Sequence, residues 1–284
     1  MRVRNWIDKI NRQEVEIGTD EVKTGEKNNQ EKQEKEGGEA EANSGVQTLT
    51  VTGTRQRQQR SDKGKVTITP RDEAVLRWIG EQYAVRLDQL QVLLGRRAQG
   101  QTQVQDLVSA DTARRVCGRW AKAGWIVRKR VFHREPEWVW LTPSGMRVAG
   151  LEYRALEPSV TLLKHTYQVS RIRLNVEERH GAAATWRSER ALKPVRQRNV
   201  EAHYADAEVE IRERTIGLEI ERTAKGPIAL RTILAGLVRE YRTVWYFVAP
   251  KALSGVRRAV EALPDESRHR VKLYDLETLK EIEP

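Results

Sequence analysis

The chain has a single cysteine, Cys117, in 284 residues. One thiol cannot close an internal disulfide, nor can it build a thiolate cage around a metal. No apolar run approaches the roughly 18–20 residues that a membrane-spanning helix requires. Met1-Arg2-Val3-Arg4-Asn5-Trp6 is followed by no apolar secretion core, so a cytosolic protein with no membrane association is expected. His-Glu-x-x-His runs, Walker loops and glycine-rich dinucleotide turns are all missing, which leaves the chemistries that depend on them without support. The five histidines (His133, His165, His180, His203 and His269) form no three-histidine set of the kind a relaxase with a tyrosine nucleophile uses. His165 reads as a hydrogen-bonded packing residue. His203, three residues before Asp206, reads as a surface residue within reach of that carboxylate.

Charge, by contrast, is plentiful. Charged residues make up 32% of the chain against 38% hydrophobic, with a mean hydropathy of −0.69 and a net charge of +11. Residues 1–66 carry 13 Lys/Arg against 12 acids, residues 67–150 carry 14 against 8, and residues 151–284 carry 24 against 20. The densest positive stretch, Leu107 to Arg134, holds eight Lys/Arg and one acid, Asp111. Such a field attracts polyanions, nucleic acid first among them; a solvated basic surface is the alternative.

Composition divides the chain into three. Residues 1–66 are rich in Glu, Lys, Gln and Gly and cannot bury enough apolar surface to offset chain entropy, so a disordered charged tail is expected. Residues 67–152 read as helix, helix, helix, hairpin. Thr69-Pro70 starts the first helix, and Val75, Leu76, Ile79 and Tyr83 form its apolar face. Leu87 to Leu94 suggests a second helix. Ser109 or Asp111 caps a third, whose inward face is Ala113, Val116, Cys117 and Trp120.

That order is the one found in a winged helix-turn-helix. With Trp120 facing inward, Arg115, Arg119 and Lys122 fall on the outer face, Arg114 flanks them, and Gly118 leaves room for close approach. In such modules the third helix enters the major groove of double-stranded DNA, where Arg can bridge guanine O6 and N7. Arg128, Lys129, Arg130 and Arg134 on the hairpin would serve as wing contacts. An amphipathic helix with an ordinary basic surface is the competing reading.

Residues 158–284 read as α-β-β-β-α-β with extra elements at the end. Ala205 to Ile211 and Ile216 to Glu221 alternate strictly, and Val244 to Ala249 is apolar throughout, as in a strand buried on both faces. If residues 212–215 form the loop, Asp206 lies opposite Glu221, Glu208 opposite Glu219, and Glu210 opposite Gly217. All five carboxylates then share one face, and a slip of two residues keeps that sorting. Like charges across strands are destabilising. The face could hold a divalent ion suited to oxygen ligands. It could instead be compensated by Arg231 or Arg239, or be a solvated face screened by salt.

Arg71-Asp72, Leu163-Lys164-His165, Trp186-Arg187-Ser188-Glu189, Ala205-Asp206-Ala207 and Leu218-Glu219-Ile220-Glu221-Arg222-Thr223 resemble motifs of the plasmid replication-relaxation family. The resemblance covers roughly residues 68–275. It implies a DNA-binding protein of a plasmid or other mobile element, acting in replication, relaxation or transfer. The C-terminal part is similar to the PD-(D/E)xK nuclease fold. That similarity implies Asp206 and Glu219 as ligands of Mg²⁺ or Mn²⁺, with Glu221 and Lys225 completing the catalytic set. Position 221 holds Glu where the motif has Lys, a cation that Lys225 or Arg231 could supply from the loop or helix, and Ala205 stands where it has Pro, so a degenerate centre used only for binding is the alternative. The overall expectation is an α+β or α/β protein: disordered charged tail, winged helix, then a restriction-endonuclease-like α/β domain. Its expected partners are double-stranded DNA, plasmid replication or transfer proteins, and a second copy of the chain. A non-catalytic transcription regulator or replication accessory factor is the rival function.

Overall fold

A computed structural model describes residues 67–98, 107–196 and 205–282. The expected tail, 1–66, lies outside the described residues, as does His203. The chain is mixed α+β, with one three-stranded and one five-stranded sheet, and residues 65–284 form one compact unit. No helix among the described residues is long and apolar enough to cross a membrane.

The first section runs α1 (Pro70–Glu81), β1 (Val85–Arg86), α2 (Leu87–Ala98), α3 (Ala110–Lys122), β2 (Ile126–Lys129), β3 (Trp138–Leu141) and α4 (Pro143–Val148). Thr69 caps α1 reciprocally with Asp72: its Oγ1 accepts from the Asp72 amide at 3.1 Å, and Asp72 Oδ2 accepts from the Thr69 amide at 3.2 Å. Ser109 is the N-cap of α3, accepting from the Thr112 amide at 3.2 Å. β1 joins the hairpin in the order β1-β3-β2, all antiparallel. A two-residue strand is too short to leave a period in sequence, and it was not expected. Trp78, Trp120 and Trp138 are among the largest fully buried side chains.

The second section runs α5 (Val160–His180), β4 (Ala184–Ser188), α6 (Glu189–Arg196), β5 (Ala207–Ile211), β6 (Arg214–Glu221), α7 (Pro227–Glu240), β7 (Val244–Val248), α8 (Pro250–Glu261), α9 (Asp265–Arg268) and β8 (Val271–Asp275). Ala184 to Leu192 reads as a strand from sequence, but the strand stops at Ser188 and Glu189 starts a helix. The sheet order is β4-β5-β6-β7-β8; β4 to β6 pair antiparallel and β6 to β8 parallel. Helices α7 and α8 cover one face, packing Leu234, Leu237 and Val256 against Val244, Tyr246 and Val248.

The β5–β6 hairpin corrects the expected register by two residues. Glu208 pairs with Gly217 and Glu210 with Thr215, closing a two-residue turn at Arg212-Glu213. Both turn residues have positive φ, 49° and 64°, the twist that matches the strands they join. Continuing the register sets Asp206 beside Glu219, with the Asp206 amide donating to the Leu218 carbonyl at 2.9 Å.

The two sections meet along α5 through cations set on aromatic rings. The Arg173 guanidinium lies 4.7 Å from the Trp78 ring centroid and bonds Glu81 at 2.9 Å and Glu177 at 2.8 Å. Arg86 lies 3.9 Å from the Tyr167 ring. Arg190 donates to the Gly80 carbonyl at 2.6 Å. Desolvated cation–π contacts are each worth up to about 2 kcal/mol.

Candidate nucleic-acid interface and carboxylate centre

Helix α3 buries Ala113, Val116, Cys117 and Trp120, which turns Arg114, Arg115, Gly118 and Lys122 out to solvent. Burial pushes the Cys117 thiol up to about 12, so it serves as an inert core residue. Arg114 bonds Asp111 on its own helix at 2.9 Å, and Arg115 bonds the Asp111 carbonyl and Thr112 Oγ1, each at 3.4 Å. Arg119 behaves differently. Its Nη2 lies 2.7 and 2.6 Å from the two oxygens of Asp72, whose side chain is 0% exposed. Arg119 thereby ties the end of α3 to the start of α1.

On the hairpin, Arg128 grips Glu137 through Nε and Nη2 at 3.1 and 2.7 Å. Lys129 pairs with Glu157 at 2.9 Å, both largely exposed. Arg130 and Arg134 are exposed, and Arg134 has a left-handed φ of 61° in the connection between the strands. A Cβ built on Gly118 would lie 3.9 Å from Arg128 Nη1. The open face of α3 and the hairpin are therefore one continuous basic surface.

The acidic residues of β5 and β6 do share a face, and Glu208, Glu219 and Glu221 on it lie under α7 and α8, while Glu210 toward the hairpin turn is exposed. By register, Gly217, Glu219 and Glu221 lie on the same side as Val244, Tyr246 and Val248. Glu208, Glu219 and Glu221 are 2%, 2% and 1% exposed. Burying a carboxylate is expensive unless it is paired and hydrogen-bonded. Arg187 Nη1 lies 2.8 Å from Glu208, directly across the β4–β5 pair, and the Tyr241 hydroxyl donates to Glu208 at 2.7 Å. Lys225 Nζ lies 2.6 Å from Glu221. Arg231 and Arg239, the compensating cations weighed from sequence, are instead exposed on the outer side of α7. Burial, with the fields of Glu219, Glu221 and Asp206, pushes the Tyr246 phenol well above its ordinary value.

Asp206 is held from two sides. Its Oδ2 accepts from the Ile220 amide at 2.8 Å, and its Oδ1 lies 2.9 Å from His165 Nε2. Burial lowers the His165 pKa, but the hydrogen bond to Asp206 and the charges of Asp206, Glu189 and Glu219 outweigh it, so the net shift is upward. The pair opens on a small cleft lined by Glu81, Tyr83, Ser188 and Glu189. Within it Glu189 accepts from the Tyr83 hydroxyl at 3.3 Å and pairs with Lys193 at 2.7 Å.

This donor set does not fit a divalent ion as it stands. Both Asp206 oxygens are engaged, a lysine occupies Glu221, and no three His, Cys, Asp or Glu side chains among the described residues converge on a point that could hold one. The structure thus brings Asp206, Glu219, Glu221 and Lys225 into one region, with internal cations neutralising it. The sequence reading missed His165 as the partner of Asp206, and missed Arg187 and Tyr241 as partners of Glu208. Arg187, a cation on the strand that pairs with β5, was the one signal available.

Compared with family models, with curated proteins and with solved structures, the chain has no match in any of the three.

Proposed function

We propose that this chain is a DNA-binding protein of a plasmid or other mobile element, acting in replication, relaxation or transfer of that DNA. In this reading α1 to α3 with the β2–β3 hairpin form a winged helix-turn-helix that holds double-stranded DNA, and the five-stranded section is a degenerate nuclease-like fold. What carries the reading is the adjacency of the open α3 face at Gly118 to Arg128 of the hairpin. Recognition helix and wing need that continuity to follow a groove and its flanking phosphates at once. Arg115 and Lys122 are the base-facing candidates. Arg119 is a strut: it holds both oxygens of the buried Asp72 carboxylate, which Arg71 approaches less closely at 3.6 Å, and so is committed to the fold and not to a base.

The engaged carboxylates favour a non-catalytic role for the second section, as a replication accessory factor or regulator that contacts replication or transfer proteins or a second copy of the chain. The test is equilibrium binding to randomised duplexes by fluorescence anisotropy. Arg115→Ala with Lys122→Ala should weaken binding and relax base preference, by about 1–3 kcal/mol for each base no longer bridged. Arg130→Ala with Arg134→Ala should flatten the salt dependence by about 0.9 for each phosphate no longer neutralised. Unchanged affinity and slope in both pairs would remove this surface from the interface.

A further inference from the structure

The positive charge of the second section is concentrated in one layer. Residues 227–262, which are α7, α8 and their connection, hold six Lys/Arg against two acids. The rest of residues 151–284 hold eighteen of each and are neutral as a group. All six cations, Arg231, Arg239, Arg242, Lys251, Arg257 and Arg258, are exposed. The cause lies in the packing: Leu230, Ile233, Leu234 and Leu237 of α7 and Ala252, Val256 and Ala259 of α8 face the sheet. The basic positions are left on the outer side. The two helices pack closely, with a Cβ on Gly255 reaching within 3.5 Å of Leu230 Cδ1, so their outer sides form one surface. Small exposed residues on α7, Ala229 and Ala235, leave its backbone open to close approach.

Five of these cations, Arg257 aside, are less engaged by acids than the α3 and hairpin set taken as a whole. There half of the eight cations, Arg114, Arg119, Arg128 and Lys129, each hold an acid, while Arg115, Lys122, Arg130 and Arg134 form no ion pair among the described residues. Here Arg231, Arg239, Arg242 and Lys251 form no ion pair among the described residues, and Arg258 bonds only the Ser254 carbonyl of its own helix. A cation in an ion pair must break that pair to meet a phosphate. An unpaired one only exchanges its hydration and releases the counterions of the polyanion.

From this we infer that the outer face of α7 and α8 is a second nucleic-acid surface, one that takes the phosphate backbone of duplex DNA without reading its bases. It is independent of the α3 surface, and five unpaired cations would contribute a salt slope of up to about 4.5.

The test uses the full chain and a fluorescent duplex, with affinity measured across a salt series. Arg231→Gln with Arg239→Gln, and separately Lys251→Gln with Arg258→Gln, should each reduce the slope by about 1.8. Melting temperature and base preference should stay as in the wild type. Loss of slope in these pairs together with the expected changes in the α3 and hairpin variants would uphold both surfaces; loss of slope here, with affinity, base preference and slope all unchanged in the α3 and hairpin variants, would uphold this surface and defeat the proposed winged helix. The reverse pattern would defeat this surface and uphold the winged helix. A wild type that binds no duplex defeats both. Equally tight binding of poly-glutamate of matched charge, through the same residues, would overturn the assignment to DNA in favour of an acidic protein.

Discussion

Gly217 is where the buried acidic face can be tested with one methyl group. It sits in β6 between Glu208 of β5 and Val244 of β7. The Tyr241 ring lies flat on it: a Cβ there would fall 2.5 Å from Cδ2 and 2.8 Å from Cε2 and Cγ. No real Cβ tolerates such contacts, so in Gly217→Ala the ring must move. Tyr241 is 4% exposed and cannot simply swing out. Overpacking of this kind costs about 1–3 kcal/mol. The displaced hydroxyl also abandons Glu208, 2.7 Å away and buried, and a hydrogen bond to a charged group is worth about 1.5–3 kcal/mol. The variant should therefore lose about 3–5 kcal/mol in urea unfolding followed by tryptophan fluorescence. Tyr241→Phe should lose only the second part. In a Tyr241→Ala background, the methyl group enters vacated space, and adding Gly217→Ala should cost less than about 1 kcal/mol, a coupling typical of residues in contact. A neutral Gly217→Ala, or an equal loss in both backgrounds, would refute the claim that ring position and Glu208 satisfaction are linked through this glycine.

Much of the local structure was legible because local physics sets it. The inward faces of α1 and α3 follow from 3.6-residue spacing, and Thr69-Pro70 and Ser109 mark helix starts by their hydrogen-bonding capacity. The sorting of Asp206, Glu208, Glu210, Glu219 and Glu221 onto one face follows from parity, which a two-residue slip preserves. The slip itself was not legible. A turn of Arg212 and Glu213, both at positive φ, has none of the Asn or Gly that ordinarily announces such a turn. Helix α6 was hidden for a related reason, since Ala184 to Leu192 has strand-like composition and only the docking of the following turn decides where the strand stops.

The surroundings of the acids were the least legible part. Alternation shows which residues share a face but not what covers it. Here α7 and α8 cover it, and Glu208, Glu219 and Glu221 become buried where solvent had been one of the options. Their partners come from separate stretches of chain: Arg187 from β4, Tyr241 from the end of α7, and His165 from α5, 41 residues before Asp206. Lys225 was within reach of a sequence argument because it follows Glu221 by four residues across a tight connection. Arg119 illustrates the converse. Its helical position is that of a base reader, and only the burial of Asp72 shows that it carries a structural load.

Two further expectations concern the carboxylate centre. Because Asp206 is engaged at both oxygens and Glu221 by Lys225, Mg²⁺ or Mn²⁺ should not raise the melting temperature; a concentration-dependent rise that disappears in Asp206→Asn would restore the metal reading through linkage. The last concerns pH. Despite burial, the hydrogen bond and charge of Asp206, helped by Glu189 and Glu219, raise the His165 pKa above its ordinary 6.5. The folded protein thus holds that proton more tightly than the unfolded chain does. Its contribution to stability is fully present below pH 6.5 and is lost as pH rises through the raised folded value. The stability gap between the wild type and His165→Gln should accordingly be widest at the acidic end and narrow as pH climbs. In Asp206→Asn the favourable charge is gone while the burial remains, so the His165 ring, followed by NMR, should titrate below its wild-type value. Parallel stability curves for wild type and His165→Gln on both sides of pH 6.5 would show that the imidazolium–Asp206 pair does not hold α5 to the sheet.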